Sequence, residues 1–181
     1  MGLLDPEIRV VAVGDVDIRA QRHLCMAVAE TFGRKCRIAN PLPAPGYAFD
    51  PRRGQYSAEA ILQRLPVGEA ERVLGVADLD LYVPEPHFVF GLADQGGRRA
   101  VIALPRLREQ VLGARGNEAL FLDRAVKEAA HELGHTYGLK HCRDRRCVMA
   151  FSNALLDTDF KGNEFCPRCR RRMQLQGHLQ P

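Results

Sequence analysis

Apolar positions along this chain fall into two rhythms, short unbroken runs and stripes at steps of three and four. Ile8 to Val13 is a β-rich run stopped by Gly14-Asp15, which predicts a buried strand and a turn. Asp17 is placed to cap a helix, Leu24, Val28 and Phe32 recur at helical spacing, and Gly33 is a stop. Cys36 to Ala39 predicts a second strand. Residues 40 to 54 carry four prolines and two glycines and read as an extended loop. Ser57 caps a helix through Leu65, ended by Pro66. Arg72 to Ala77 and Leu81 to Phe90 are further strands, the second interrupted by Pro84 and Pro86. Arg98 to Leu104 is an apolar run between Gly97 and Pro105, and the proline marks it as an edge strand or a strand end. From Asn117 a long helix begins, with Leu122, Val126, Ala129, Leu133 and Tyr137 along its apolar stripe and Gly138 as its left-handed cap.

Beyond Gly138 the pattern loosens into a cysteine-bearing segment with a short helix near its end. There is no internal repeat and no low-complexity tract. Strand, helix, strand, helix, strands and long helix predict an α/β chain whose mixed sheet is flanked by helices. The expected organisation is one domain over 1–181. Residues 1–138 form the sheet-and-helix part, with the long helix at about 117–138, and 139–181 form a small irregular lobe.

Composition adds bounds. Hydrophobic residues make up 46% and charged residues 27%, values of an ordinary globular chain with a core. A net charge of +4 is too mild to imply nucleic acid. No apolar stretch approaches the length of a membrane span. The N-terminus lacks the basic start and apolar core of a secretory signal, so the expected compartment is the cytoplasm. Six cysteines in that setting point to metal before disulfides, and four of them lie between residues 142 and 169.

Residues 131 to 141 read His-Glu-Leu-Gly-His-Thr-Tyr-Gly-Leu-Lys-His. His131 and His135, four apart on a helix, project from one face and can share one metal ion. Gly138 lets the chain leave the helix sharply, which returns His141 as a third ligand from another direction. Three ligands leave a fourth position open, the arrangement of a catalytic zinc. Glu132, beside His131, is placed as general base and then acid for a zinc-activated water. The bland reading is an amphipathic helix with incidental histidines, but half of all six histidines fall in these eleven residues. His23, His87 and His178 sit in no motif and read as surface or satisfied core residues.

Cys142, Cys147, Cys166 and Cys169 form two close pairs, the ligand set of a closed structural zinc. A redox C-x-x-C should open a helix after a strand, and no apolar strand precedes Cys166. Cys25 and Cys36 read as small buried hydrophobes. Together these residues resemble one family, the archaemetzincins, within the metzincin clan of zinc peptidases. The resemblance rests on His131-Glu132, His135, Gly138, His141-Cys142, Cys147, Met149, Cys166 and Cys169, about the last quarter of the chain.

The resemblance implies a compact metzincin-like zincin fold with a mixed twisted sheet, one catalytic and one structural zinc ion, and peptidase activity, either endopeptidase or aminopeptidase-like. It implies a tight turn at Met149 beneath the zinc. Astacin-like relatives place a tyrosine two residues after that methionine; here Phe151 stands there and can neither bind metal nor donate a hydrogen bond, so no fifth ligand is assigned. Substrate is expected to lie extended along an edge strand, placed at Arg98 to Leu104 with Ala100 and Ile102 facing it. Phe151, Ser152 and Asn153 are expected to line a pocket. Arginines 143, 145, 146, 168, 170, 171 and 172 crowd the cysteines and read as a solvated face. Expected partners are a peptide or protein substrate, with no nucleic acid and no membrane, and a monomer. The rival reading is an inactive, zinc-stabilised module binding peptide or nucleic acid; the retained Glu132 speaks against it.

Overall fold

The strand Glu7–Val13 (β1) alternates the faces to which its side chains point, and the two faces belong to two different cores. Ile8, Val10 and Ala12 enter one core, Val11 and Val13 the other. The same alternation runs through Arg72–Ala77 (β5) and Arg99–Ala103 (β8), so the sheet is covered on both sides. The structure, a computed structural model, describes residues 6–85, 88–108 and 117–175.

Ile18–Phe32 (α1) follows β1. Asp17 caps it by accepting from the Arg19 N–H, and Gly33 ends it at φ 58°. Lys35–Ile38 (β2) then pairs in parallel with β1. The loop that follows is less irregular than its prolines predict. It holds a 3-10 turn at Gly46–Ala48 and the short strand Phe49–Asp50 (β3), which pairs with Gln55–Ser57 (β4). Leu81–Tyr82 (β6) joins β4 in a separate three-stranded sheet. Ala58–Arg64 (α2), capped by Ser57, packs Ile61 and Leu62 onto the second core.

The main sheet has the order β2-β1-β5-β8-β7, where β7 is Gly91–Ala93. The first four strands are parallel and β7 is antiparallel to β8, so the sheet is mixed. Two sequence expectations fail here. The run Leu81 to Phe90 is not one strand: only Leu81–Tyr82 pairs, ahead of Pro84, and Pro86 and His87 lie outside the described residues. The run Arg98 to Leu104 is not an edge. It lies between β5 and β7, and both Ala100 and Ile102 are fully buried. Pro105 ends the strand and starts a 3-10 turn, Pro105–Arg108, so of its two meanings the second applies.

Glu118–Thr136 (α3) begins at Asn117, whose side chain accepts from the Leu120 N–H. It packs on α1 and β8, and the Phe32 and Tyr137 rings stack with centroids 5.3 Å apart. Gly138 takes φ 82° just past its end. Two short helices follow, Leu155–Phe160 (α4) and Pro167–Leu175 (α5). Arg124 of α3 donates to both carboxylate oxygens of Asp159, at 2.6 and 2.7 Å, which fastens α4 to the long helix. Cys25 and Cys36 meet across α1 and β2 with their Sγ atoms 2.6 Å apart. Among the described residues, no helix is long and apolar enough to cross a membrane.

Candidate metal centre and active site

The left-handed turn at Gly138 carries the chain back so that His141 faces the two histidines of α3. The rings of His131, His135 and His141 have centroids 4.7, 5.3 and 4.9 Å apart. His131 Nδ1 lies 2.8 Å from the Val148 carbonyl and His135 Nδ1 lies 2.8 Å from the Leu139 carbonyl. Carbonyls only accept, so each Nδ1 carries the proton and each Nε2 presents a lone pair. The two Nε2 atoms stand 3.1 Å apart. Two acceptors at that separation repel unless a cation lies between them. A tetrahedral ion with Zn–N near 2.0–2.1 Å holds its nitrogens about 3.3 Å apart. The residues present therefore fit a zinc ion.

Below the histidines, Ala150 N–H donates to the Cys147 carbonyl at 2.8 Å, closing a tight turn around Met149. Met149 is fully buried and rests on Gly134: a Cβ at Gly134 would collide with the Met149 Sδ. Gly134 thus gives the turn access to the helix between the two histidines, a role that the sequence reading missed. Gly91 is a second missed residue. A Cβ there would stand 2.6 Å from Glu132 Cγ and 2.8 Å from the Val101 carbonyl, so only glycine lets β7 pass beside Glu132. The hairpin after β7 is also tied to the site, for Gly96 N–H donates to the His135 carbonyl at 2.8 Å.

Glu132 is 7% exposed. In the protein without its metal, burial pushes its carboxyl up to about 8, the Glu128 carboxylate adds to that, and the Lys161 ammonium opposes it; a divalent cation on the histidines would lower it again and leave a carboxylate able to take a proton. Burial lowers all three histidines below their ordinary value, most strongly His131, with the charge of Lys161 acting in the same direction. A cleft of about 460 Å³ opens over these groups. Phe151, Ser152 and Asn153 stand in its wall, and Phe151 leans on His141 with ring centroids 5.0 Å apart. Ala100 and Ile102 do not reach it. The strand that lines it is β7.

The four clustered cysteines converge as well, with all four Sγ atoms within 4.8 Å of one another. Cys142 and Cys166 Sγ are 3.8 Å apart, the spacing of about 3.8 Å that a tetrahedral ion with Zn–S near 2.3 Å imposes. Cys147 Sγ accepts from the Cys166 N–H and Cys142 Sγ from Arg168, each at 3.3 Å. Burial raises the Cys142 thiol, but the Asp144 backbone N–H and the Arg168 guanidinium outweigh it and bring it to about 7. Burial raises Cys147 to about 11 and Cys169 still further. The surrounding arginines are exposed, as a solvated face requires, and Arg145 and Arg146 lie over the Phe160 ring. His23 is exposed; His178 lies outside the described residues.

The sequence profile of Peptidase family M54 matches residues 44–175. The chain belongs to this family, the archaemetzincins. The archaemetzincin of Methanocaldococcus jannaschii is 41% identical over 94% of each chain. The crystal structure of archaemetzincin from Archaeoglobus fulgidus, complexed with malonate, superposes with a TM-score of 0.82 at 33% identity, covering 92% of this chain and 99% of that one. That of a zinc-dependent peptidase from Methanocorpusculum labreanum superposes with a TM-score of 0.80 at 28% identity, over 92% and 99%. This M54 chain is accordingly a zinc-dependent metallopeptidase whose substrates are peptides. Its mixed α/β architecture is that of the archaemetzincin structures.

Proposed function

We propose that His131, His135 and His141 hold the catalytic zinc, that Glu132 is the general base and acid, and that Cys142, Cys147, Cys166 and Cys169 hold a second, structural zinc. The observation that carries the first site is the 3.1 Å approach of two imidazole lone pairs whose other nitrogens are fixed on carbonyls. When bound, the metal supplies Lewis-acid polarisation of the scissile carbonyl and a water acidic enough to attack at neutral pH. The chain supplies the rest. Glu132, buried at the cleft floor, accepts the proton of the attacking water on a carboxylate oxygen and delivers it to the leaving amine nitrogen. Its low exposure keeps bulk water from competing for that proton. Phe151, Ser152 and Asn153 flank the substrate.

The cut is proposed to fall within a peptide chain. An aminopeptidase needs an acidic group to hold the substrate's terminal ammonium. The described carboxylates lining the cleft are Glu132, assigned to the proton, and Glu128, already paired with Lys161. The deciding experiment compares Glu132→Ala with His135→Ala. Glu132→Ala is expected to retain zinc and lose about 10²–10⁴-fold in the rate of peptide cleavage. His135→Ala is expected to lose the catalytic metal. Wild-type cleavage by Glu132→Ala would refute the assignment.

A further inference from the structure

Two cysteines stand apart from both proposed metal sites. Cys25 lies on the buried stripe of α1, with Leu24, Val28 and Phe32. β2 alternates exposed and half-buried residues, and its inward pair, Cys36 and Ile38, packs against the core to which that stripe belongs. The phase of the helix and the phase of the strand each turn a thiol toward the other. The two Sγ atoms are 2.6 Å apart, closer than unbonded sulfur atoms rest. Cys142 and Cys166, at 3.8 Å, keep the spacing of ligands on one ion. A metal does not account for the Cys25–Cys36 contact, because among the described residues no third histidine, cysteine or carboxylate gathers with them.

We propose that Cys25 and Cys36 are a disulfide-forming pair whose bond staples the outermost strand of the main sheet to α1. β2 stands at the end of that sheet and pairs only with β1, so it has the least to hold it in place. The oxidant is a low-molecular-weight disulfide of the glutathione class. Cys36, the more exposed of the two, attacks one sulfur of it, and the Cys36 proton leaves with the first thiol released. The Cys25 sulfur then displaces the second thiol from Cys36, carrying its own proton away. Two protein thiols are oxidised and one disulfide is reduced to two thiols. Burial and the neighbouring thiol hold Cys36 above the ordinary thiol range, so the attacking thiolate is scarce and the exchange takes hours. Once made, the bond closes the short loop 25–36 and removes open conformations from the unfolded chain.

The zinc-loaded full chain tests it after equilibration at mildly alkaline pH with an excess of either reduced glutathione or glutathione disulfide. Each sample is quenched with acid, denatured, alkylated and digested with trypsin without reductant. In the oxidised sample peptide 23–34 should be joined to dipeptide 36–37, and in the reduced sample both should carry the alkyl label. Before denaturation the oxidised chain should melt about 5–10 °C above the reduced chain at equal zinc content. Cys36→Ala should melt at one temperature in either buffer. The comparison of wild type with itself decides the matter even where that variant folds poorly. Two alkylated thiols after equilibration with glutathione disulfide, a glutathione adduct that stops on Cys36, or equal melting of the crosslinked and reduced chains would overturn the staple.

Discussion

Gly134 lies between two histidines on a helix, where alanine would ordinarily be better by about 1 kcal/mol. Its place is decided by Met149, whose Sδ occupies the space that a Cβ would need. Gly134→Ala is therefore expected to lower the melting temperature by several degrees despite the gain in helix propensity. It should also weaken zinc binding, because Val148, next to Met149, orients His131. Recovery in Gly134→Ala/Met149→Ala would confirm the collision as the cause. Glu132 gives a second expectation, for protein stripped of its catalytic metal. Its folded-state value of about 8 lies above its ordinary 4.5. Its contribution to stability is present below the ordinary value and is lost as pH rises toward 8. The three histidines run the other way, since lowered values make their contribution grow as pH rises through their ordinary 6.5. The unfolding free energy of wild type minus that of Glu132→Gln isolates the carboxyl and should fall between about pH 4.5 and pH 8. A flat difference would place Glu132 in water.

Elements show what the sequence could and could not convey. The caps at Asp17 and Ser57, the start of the long helix at Asn117, the strand Arg72–Ala77 and the turn at Gly138 were all legible, because each depends on residues a few positions apart. So was the histidine cluster, which a single helical turn and one left-handed residue bring together. The edge of the sheet was not. Arg99–Ala103 is short and bounded by Gly and Pro, and nothing local tells that Gly91–Ala93 pairs outside it. The role of Gly91 depends on Glu132, forty-one positions on, and so left no signal in its own neighbourhood. The register now locates the free edge. Phe90 carbonyl and Asp94 N–H point into β8, so Gly91 and Ala93, of opposite phase, turn their backbone groups outward. An extended substrate can add there as a further strand. Ala93→Pro deletes one outward N–H and is expected to lower kcat/KM for peptides several-fold at unchanged zinc content. Unchanged kinetics would mean that substrate does not pair with β7.

At the scale of the molecule, two proposed metal sites meet in one segment: His141 and Cys142 are neighbours in the chain. They differ in every property that governs exchange. The histidine site has three neutral ligands and opens into the cleft, and His141 is exposed. The cysteine site has four thiol ligands, and Cys142, Cys147 and Cys169 are buried. Structural zinc in small Cys/His sites contributes apparent free energies of about 10–16 kcal/mol at neutral pH, because ligands that must ionise are brought together only in the fold. A mild chelator should therefore remove one equivalent of zinc with loss of peptidase activity and little change in circular dichroism. Removal of the second equivalent should need denaturant or thiol reagents and should unfold the segment after Gly138. That segment supplies His141 and the Val148 carbonyl on which His131 is hung, so stripping the cysteine site should also abolish re-binding at the histidines. The coupling free energy is the same in both directions, but the tighter cysteine site stays filled when the histidine site empties. Cys169→Ala should lose both metals, whereas His135→Ala should lose one. Metal analysis of the two purified variants reads this directly, and a Cys169→Ala protein that keeps a catalytic zinc would show the two centres to be independent.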